Sequence, residues 1–340
     1  MSRKFKNVLV TGGSGFIGSN FILNFLKKNI SGNILNLDKL TYAGNNANLE
    51  SLCNEERYKF FKGDICDESL VKKILSKFEV DAIVNFAAES HVDRSITGPS
   101  EFINTNVLGT FNLLKCAQEH HKKLKNFCFL HVSTDEVYGS LELDDPSFRE
   151  DNKYAPNSPY SASKASSDHL VRAWFHTYDL PVLTTNCSNN YGPYQFPEKL
   201  IPLTIDNALN NKEITVYGDG KNIRDWLFVI DHCDAIESVL QNGKFGEVYN
   251  VGGLNEKTNI YIVETICKIL DNINPQNKSH KNLIKFVEDR PGHDFRYSVN
   301  AAKIKNDLGW EPKETFETGI LKTVNWYFDN RDWINSVKEK

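Results

Sequence analysis

The chain of 340 residues has no apolar run approaching the length that a bilayer-spanning helix takes, about 20 residues, so no membrane segment is expected. It has seven cysteines, at 53, 66, 116, 128, 187, 233 and 267, but no C-x-x-C pair. That scatter fits reduced thiols in a cytoplasm and argues against a disulfide framework or a zinc site. Basic residues are not in excess: the formal net charge is −4, with no basic stripe. Nucleic acid and anionic membrane are therefore not expected partners, and an anionic ligand would have to be held by a local basic cluster. Repeats, low-complexity tracts and charged tails are missing as well. Met1 to Lys6 lead straight into a strand and a glycine loop, which leaves no room for a secretory signal. The expectation is a soluble, cytoplasmic protein without a metal, of ordinary globular composition with 40% hydrophobic and 25% charged residues.

A chain of this length is expected to form two closely connected lobes. Over the first half, apolar strands alternate with amphipathic helices. Strands are expected at Asn7–Thr11, Asn33–Asp38, Tyr58–Lys62, Asp81–Ala87 and Asn126–Ser133. Helices are expected at Phe16–Lys28, near Ser69–Phe78 and at Glu101–His121. A helix from Ser158 to Tyr178 and a strand at Val182–Cys187 continue the layer. This alternation implies an α/β fold, a parallel sheet covered on both faces. After Tyr191 it weakens, and Pro193, Pro197 and Pro202 break the chain. Residues 1–190 are expected to form the dinucleotide-binding domain carrying the catalytic residues. Residues 191–340 are expected to form mainly a substrate-binding lobe, with strand exchange back to the first.

The first strand runs into Thr11-Gly12-Gly13-Ser14-Gly15-Phe16-Ile17-Gly18. Gly12 and Gly15 let the backbone turn and approach a pyrophosphate, and Gly18 lets helix and strand pack closely. The helix start then offers unpaired N–H groups to phosphate. The second strand ends in Asp38, where a carboxylate binds ribose hydroxyls and repels a 2′-phosphate, favouring NAD over NADP. The doubly wound sheet is therefore expected to be of the Rossmann type. Asp64-Ile65, ending the next strand, is a candidate adenine contact, with a helix N-cap role for Asp64 or Asp67 as the alternative.

The fifth strand ends in Ser133-Thr134-Asp135-Glu136-Val137-Tyr138-Gly139. Two adjacent acids there repel each other, and a solvated loop is the simplest explanation for them. Downstream, Tyr160-Ser161-Ala162-Ser163-Lys164 sets a phenol and an ammonium on one helical face. With the glycine loop and the Ser/Thr strand end, this run resembles the extended short-chain dehydrogenase/reductase superfamily. A phenol with a pKa of about 10 is a poor base at neutral pH. A lysine ammonium and a positive nicotinamide ring favour the phenolate, so that Tyr160 can accept an alcohol proton as hydride leaves to NAD⁺. Lys164 would also hold the nicotinamide ribose, and Thr134 the reacting oxygen. Asp135 and Glu136 exceed what an oxidation needs. They suit an elimination beside the new ketone, which requires a base for the carbon acid and an acid for the departing hydroxyl.

The runs TGGSGFIGSNF, LDKLTYAGN, FAAESHVDRSI, FINTNVLGT, STDEVYG, YSASKASSDHLVRA, NNYGPYQFPEKLIP, VYGDGKNIRDWLFV and DRPGHDFRY extend from the glycine loop to Tyr297. Together they resemble the dTDP-glucose 4,6-dehydratase family, the nucleotide-sugar branch of that superfamily. The resemblance implies oxidation of dTDP-glucose at C4 by a tightly held NAD, with Tyr160 as base. Glu136 would then take the C5 proton, Asp135 would protonate the leaving C6 hydroxyl, and hydride would return to C6. It also implies cofactor contacts from Phe16, Ile17, Lys39, Leu40, Thr41, Phe86, Ala87, Ala88, Ser90, Thr105 and Asn190.

For the substrate it implies Ser90, His91, Thr134, Asn189, Lys199, Leu200, Tyr217, Arg224, Asn259, Arg290 and His293. A diphosphate needs cations to offset its charge, although surface salt bridging is the ordinary role of such residues. His91 and Asp93 have sheet-end hydrogen bonding as their alternative. A homodimer through the helices at 101–121 and 158–178 is implied in the same way, whereas their apolar stripes alone indicate core burial. Competing readings are a UDP-sugar 4-epimerase or decarboxylase on the same scaffold, and a non-catalytic dinucleotide sensor.

Overall fold

The computed structural model describes residues 2–29, 31–124, 126–289 and 293–338. Its first half builds β1 (Asn7–Thr11), α1 (Phe16–Lys28), β2 (Asn33–Asp38), β3 (Tyr58–Lys62), α2 (Glu68–Lys77), β4 (Ala82–Asn85) and the short α3 (Val92–Thr97). There follow α4 (Pro99–Phe102), α5 (Thr110–His121), β5 (Cys128–Thr134), α6 (Pro159–Tyr178), β6 (Val182–Cys187) and β7 (Asn189–Tyr191). The second half adds α7 (Leu200–Leu209), β8 (Ile214–Tyr217), β9 (Ile223–Phe228), α8 (Val229–Asn242), β10 (Val248–Val251), β11 (Glu256–Thr258) and α9 (Asn259–Ile273). It closes with β12 (Ile284–Val287), β13 (Arg296–Tyr297), α10 (Ala302–Leu308), α11 (Phe316–Asp329) and α12 (Arg331–Lys338).

Seven parallel strands form the main sheet in the order β10-β6-β5-β4-β1-β2-β3. From β1 the strand order runs outward one way through β2 and β3 and the other way through β4, β5 and β6, which makes the sheet doubly wound and Rossmann-type, with a crevice between β1 and β4. Val8, Leu9 and Val10 of β1 are fully buried because both sheet faces are covered. One face packs against α1 and α8 through Phe21, Ile22, Cys233 and Ile236. The other packs against α2, α5 and α6 through Val71, Leu113, Leu114 and Val171. A third core lies among α7, α9 and α11, around Tyr191, Trp226, Ile262 and Phe316. Strand β10, from the second half of the chain, forms the edge of the main sheet beside β6.

The continuous helix expected over 101–121 is interrupted. Between α4 and α5, Ile103–Gly109 are wound as a π-helix. Asn106 explains the widened turn. Its buried amide accepts from Glu89 N–H at 2.8 Å, donates to Glu89 O at 3.0 Å and to Ser163 Oγ at 2.8 Å. Its own carbonyl takes the Ser167 hydroxyl at 2.6 Å. Side-chain demands from a neighbouring loop and helix thus compete with the regular ladder. The strand expected at 81–87 is also shorter, ending at Asn85, since Phe86–Ser90 turn along the cavity described next.

Candidate active site

A cavity of about 520 Å³ opens at the C-terminal ends of β1, β4, β5 and β6 and is closed by β8, β9 and α7. On its first flank lies the glycine loop. Gly12 has φ +69°, and a β-carbon there would lie 2.6 Å from Ala87 N. A β-carbon on Gly18 would collide with the Gly12 carbonyl oxygen. Both positions therefore require glycine, which brings backbone amides close to whatever fills the crevice. Asp38 is pinned at the adjoining corner, its Oδ2 accepting Ser14 N–H at 2.9 Å and its Oδ1 accepting Leu40 N–H at 2.7 Å. Leu40 follows at the same corner. With φ 57° it turns its amide back to Asp38, between Lys39 and Thr41 on the cavity wall. Lys39 pairs with Asp64 at 2.9 Å, and both line the cavity with Thr41 and Ile65. The capping alternative belongs to Asp67, which accepts Leu70 N–H to start α2. Phe86, Ala87, Ala88, Ser90 and Thr105 lie on the wall too.

Opposite stands the acid pair. Thr134 ends β5, and its hydroxyl accepts Glu136 N–H at 3.3 Å, winding 135–138 into a 3₁₀ turn. This turn gives the neighbours different surroundings. Asp135 is 1% exposed, and its Oδ2 has no hydrogen-bond partner among the described residues. Glu136 is half-buried on the cavity wall. Burial first, then the charges of Glu136 and Asp225, push the Asp135 carboxyl well above the usual range, against Arg224. Burial therefore favours the protonated form of Asp135, beside a more exposed partner. The solvated-loop explanation does not hold for it.

Tyr160 and Lys164 face the pair from α6. Ser158 and Ser161 cap that helix reciprocally and Pro159 starts it, so Tyr160 sits at its second position. Lys164, one turn on, is buried and donates to Val132 O at 2.8 Å. Burial lowers its pKa, with Asp168 opposing. The Tyr160 phenol is raised well above its ordinary value by burial, then by Glu136 and Cys187, while the Thr134 hydroxyl opposes. In the protein alone Tyr160 is thus a neutral phenol. The phenolate expected from the sequence calls on a positive nicotinamide ring as well as on Lys164.

The remaining wall comes from the second half. Arg224 is 6% exposed, its guanidinium donating to the carbonyls of Ile223, Asp294 and Phe295 and lying 4.5 Å above the Tyr297 ring. Lys199 donates to Ser90 O at 3.0 Å, which ties the two flanks together. His91 caps α3, accepting Arg94 N–H, and its Nε2 stands 3.7 Å from Glu198. His293 sits 2.6 Å from Asp289, and it lines the cavity along with Asp93, Asn189, Asn190, Leu200, Tyr217 and Asn259. Arg290 lies outside the described residues. Sequence reasoning missed Gln195, Glu198 and Tyr297. Glu198 was within reach, next to Lys199 in the same run, but Tyr297 reaches the wall only because β13 pairs with β9.

A dinucleotide suits this chamber on two grounds. The glycine cradle admits only backbone, and Ser133 Oγ, Asp135 Oδ2, Asn189 Oδ1 and Gln195 Oε1 are buried in its wall without a partner among the described residues. Among the described residues no group of acids, histidines and cysteines could hold a metal, and no helix is long and apolar enough to cross a membrane.

A Rossmann crevice facing a Tyr/Lys helix and an acid pair defines a nucleotide-sugar-modifying short-chain dehydrogenase. The chain belongs to the GDP-mannose 4,6 dehydratase family, whose profile matches residues 9–323. More narrowly, it is 57% identical to a dTDP-glucose 4,6-dehydratase of Xanthomonas campestris pv. campestris (strain B100), over 97% of this chain and 95% of that one. The dTDP-glucose 4,6-dehydratase of Bacillus anthracis, solved in complex with NAD, superposes with a TM-score of 0.88 at 49% identity, covering 97% of this chain and 99% of that one. That of Streptomyces venezuelae, also solved with NAD bound, gives 0.90 at 46% identity over the same shares.

Proposed function

We propose that the protein dehydrates dTDP-glucose to dTDP-4-keto-6-deoxyglucose. The observation that carries this reading is the acid pair, Asp135 fully buried, its carboxyl pushed up by burial, beside the more exposed Glu136. An epimerase on this scaffold has no step that needs two carboxyls in unlike environments. Relatives of 54–57% identity along nearly the full chain carry the dehydratase name.

NAD, when bound, supplies the oxidant that receives hydride from sugar C4 and returns it to C6. Gly12, Gly15, Gly18, Phe16 and Ile17 would hold its pyrophosphate at the start of α1, and Asp38 its ribose. Lys39, Thr41, Asp64 and Ile65 would surround the adenosine end. Tyr160, beside the Thr134 hydroxyl, takes the C4 hydroxyl proton as the phenolate, the form that the Lys164 ammonium and the positive charge of a bound nicotinamide would favour. Glu136 removes the C5 proton once C4 is a ketone. Asp135 then donates to the departing C6 hydroxyl. Arg224, Lys199, Asn189 and Asn259 bind the diphosphate, and Tyr217 and His293 the nucleoside.

The chain acts as a homodimer in this reading. Ile103, Leu108 and Phe111, along the α4–α5 rod, and Tyr178 at the end of α6 are all exposed and apolar. Seven free cysteines fit a reducing cytoplasm. The test is mass spectrometry of the purified protein with dTDP-glucose and no added reductant. Loss of one water is expected, from a species sedimenting at twice the chain mass. A C4 epimer as the sole product refutes the dehydratase.

A further inference from the structure

On α6, Tyr160, Lys164 and Asp168 recur every four residues and so stack along one face. All three are buried, Asp168 to 4% exposure. The proposed chemistry uses the first two and leaves the acid unexplained. One of its oxygens, Oδ2, accepts the Tyr154 hydroxyl at 3.0 Å. The other, Oδ1, makes no hydrogen bond among the described residues and lies 3.4 Å from His131 Nε2. The same imidazole nitrogen is 3.4 Å from Lys164 Nζ.

His131, fully buried on β5, has a defined tautomer. The Asn85 side-chain oxygen takes the Thr11 hydroxyl at 2.6 Å, so the Asn85 nitrogen donates to His131 Nδ1 at 3.1 Å. Nδ1 is then the acceptor, and the ring proton sits on Nε2, facing Asp168. Burial lowers the imidazole to about 4, so it is neutral and does not repel the ammonium.

We propose that Asp168 and His131 are positioning residues for the oxidation: the Asp168 carboxylate, hydrogen-bonded by Tyr154 OH and packed 3.4 Å from His131 Nε2, is the buried negative charge that keeps Lys164 an ammonium beside Tyr160. The inference rests on the oxidation role proposed above for Tyr160. Among the described residues no other group facing Lys164 supplies that charge. Tyr160 is a neutral phenol, Cys187 on β6 is a thiol pushed up by burial, and β5 offers only the Val132 carbonyl besides His131. Glu136 acts on Tyr160. Around Asp168, Tyr154 and Tyr138 are phenols raised by burial, and Glu150 acts on Tyr138. Loss of the Asp168 charge leaves burial unopposed at Lys164. The phenolate then loses its nearest cation and forms only at higher pH.

The test follows NADH formation in a single turnover of the full-length, NAD-loaded protein with dTDP-glucose, across pH, for wild type, Asp168→Asn, Asp168→Glu and His131→Asn. Asp168→Asn, which keeps the shape and the Tyr154 contact, moves the ascending limb up by about one pH unit, a roughly tenfold slower oxidation on that limb with sugar KM unchanged. Asp168→Glu restores most of the rate, and His131→Asn shifts the limb the same way by less. A merely structural acid lowers the melting temperature and leaves the limb in place, which overturns the proposal. Should Asp168→Asn not fold, His131→Asn decides, and an unmoved limb there is equally fatal. Wild type that makes neither NADH nor keto sugar refutes the oxidation reading itself, an outcome distinct from active wild type with unmoved variants.

Discussion

Asp135 and Glu136 are neighbours in the chain and opposites in environment, a difference that has a thermodynamic signature. Folding raises the Asp135 carboxyl far above its ordinary range, so the folded chain keeps a proton that the unfolded chain releases. Between those two values the folded state binds more protons, and stability from this group is lost as pH rises. Asparagine at 135 has the same shape and no such loss. Asp135→Asn should therefore melt above wild type at neutral pH, with the difference vanishing below pH ~4, where both states of the wild type are protonated. Calorimetry at several pH values reads this directly. The same variant cannot donate the proton that expels water. Its dehydration should fall on the order of 10²–10⁴-fold while C4 oxidation still appears as NADH. A variant that melts lower at neutral pH, or dehydrates at the wild-type rate, contradicts the assignment of Asp135 as the resident acid.

At the scale of elements, the start of α6 sets the position of the oxidising phenol. Ser158 Oγ accepts Ser161 N–H at 3.1 Å, and Ser161 Oγ accepts Ser158 N–H at 3.0 Å. Ser158→Ala should cost about 1 kcal/mol in a urea titration. It should also slow NADH formation more than it weakens sugar binding, because fraying begins two residues from Tyr160; unchanged oxidation would show that packing alone places the phenol. This helix was legible in the sequence, from Ser158 to Tyr178, with its Tyr/Lys spacing on one face. So were α1, β1, β2, β3 and β6, whose observed limits match those read from apolar runs and glycine punctuation. Buried parallel strands announce themselves locally. The π-helical turn did not, since Asn106 departs from the helix to satisfy Glu89 and Ser163, partners distant in sequence. Short strands such as β13, two residues long and held by β9, carry no pattern of their own, which is why Tyr297 escaped notice.

At the scale of the molecule, the two halves of the chain share a core. Cys233, Ile236, Val239 and Leu240 of α8 are fully buried in the same cluster as Val8, Val10 and Phe21. Strand β10 covers the edge of β6, pairing Val248–Val251 with Thr184–Cys187. The N-terminal segment reaches across as well: the Arg3 guanidinium donates to Leu240 O at 3.1 Å and Gly243 O at 2.6 Å. Cutting the chain after residue 190 would remove all of these at once. Each fully buried aliphatic side chain contributes about 1.5–3 kcal/mol, so the α8 residues alone approach the ~5–15 kcal/mol by which a domain is stable. The cut would also leave β6 as a bare sheet edge with unpaired backbone groups, a template for aggregation. A fragment of residues 1–190 should therefore be insoluble or molten, with no cooperative melt and no retained NAD, even though it contains the glycine loop, the acid pair, Tyr160 and Lys164. The intact chain should unfold in one transition, shifted upward by added NAD. A soluble 1–190 fragment that melts cooperatively and holds the dinucleotide would mean that the first lobe is self-sufficient and that α8 and β10 merely decorate it.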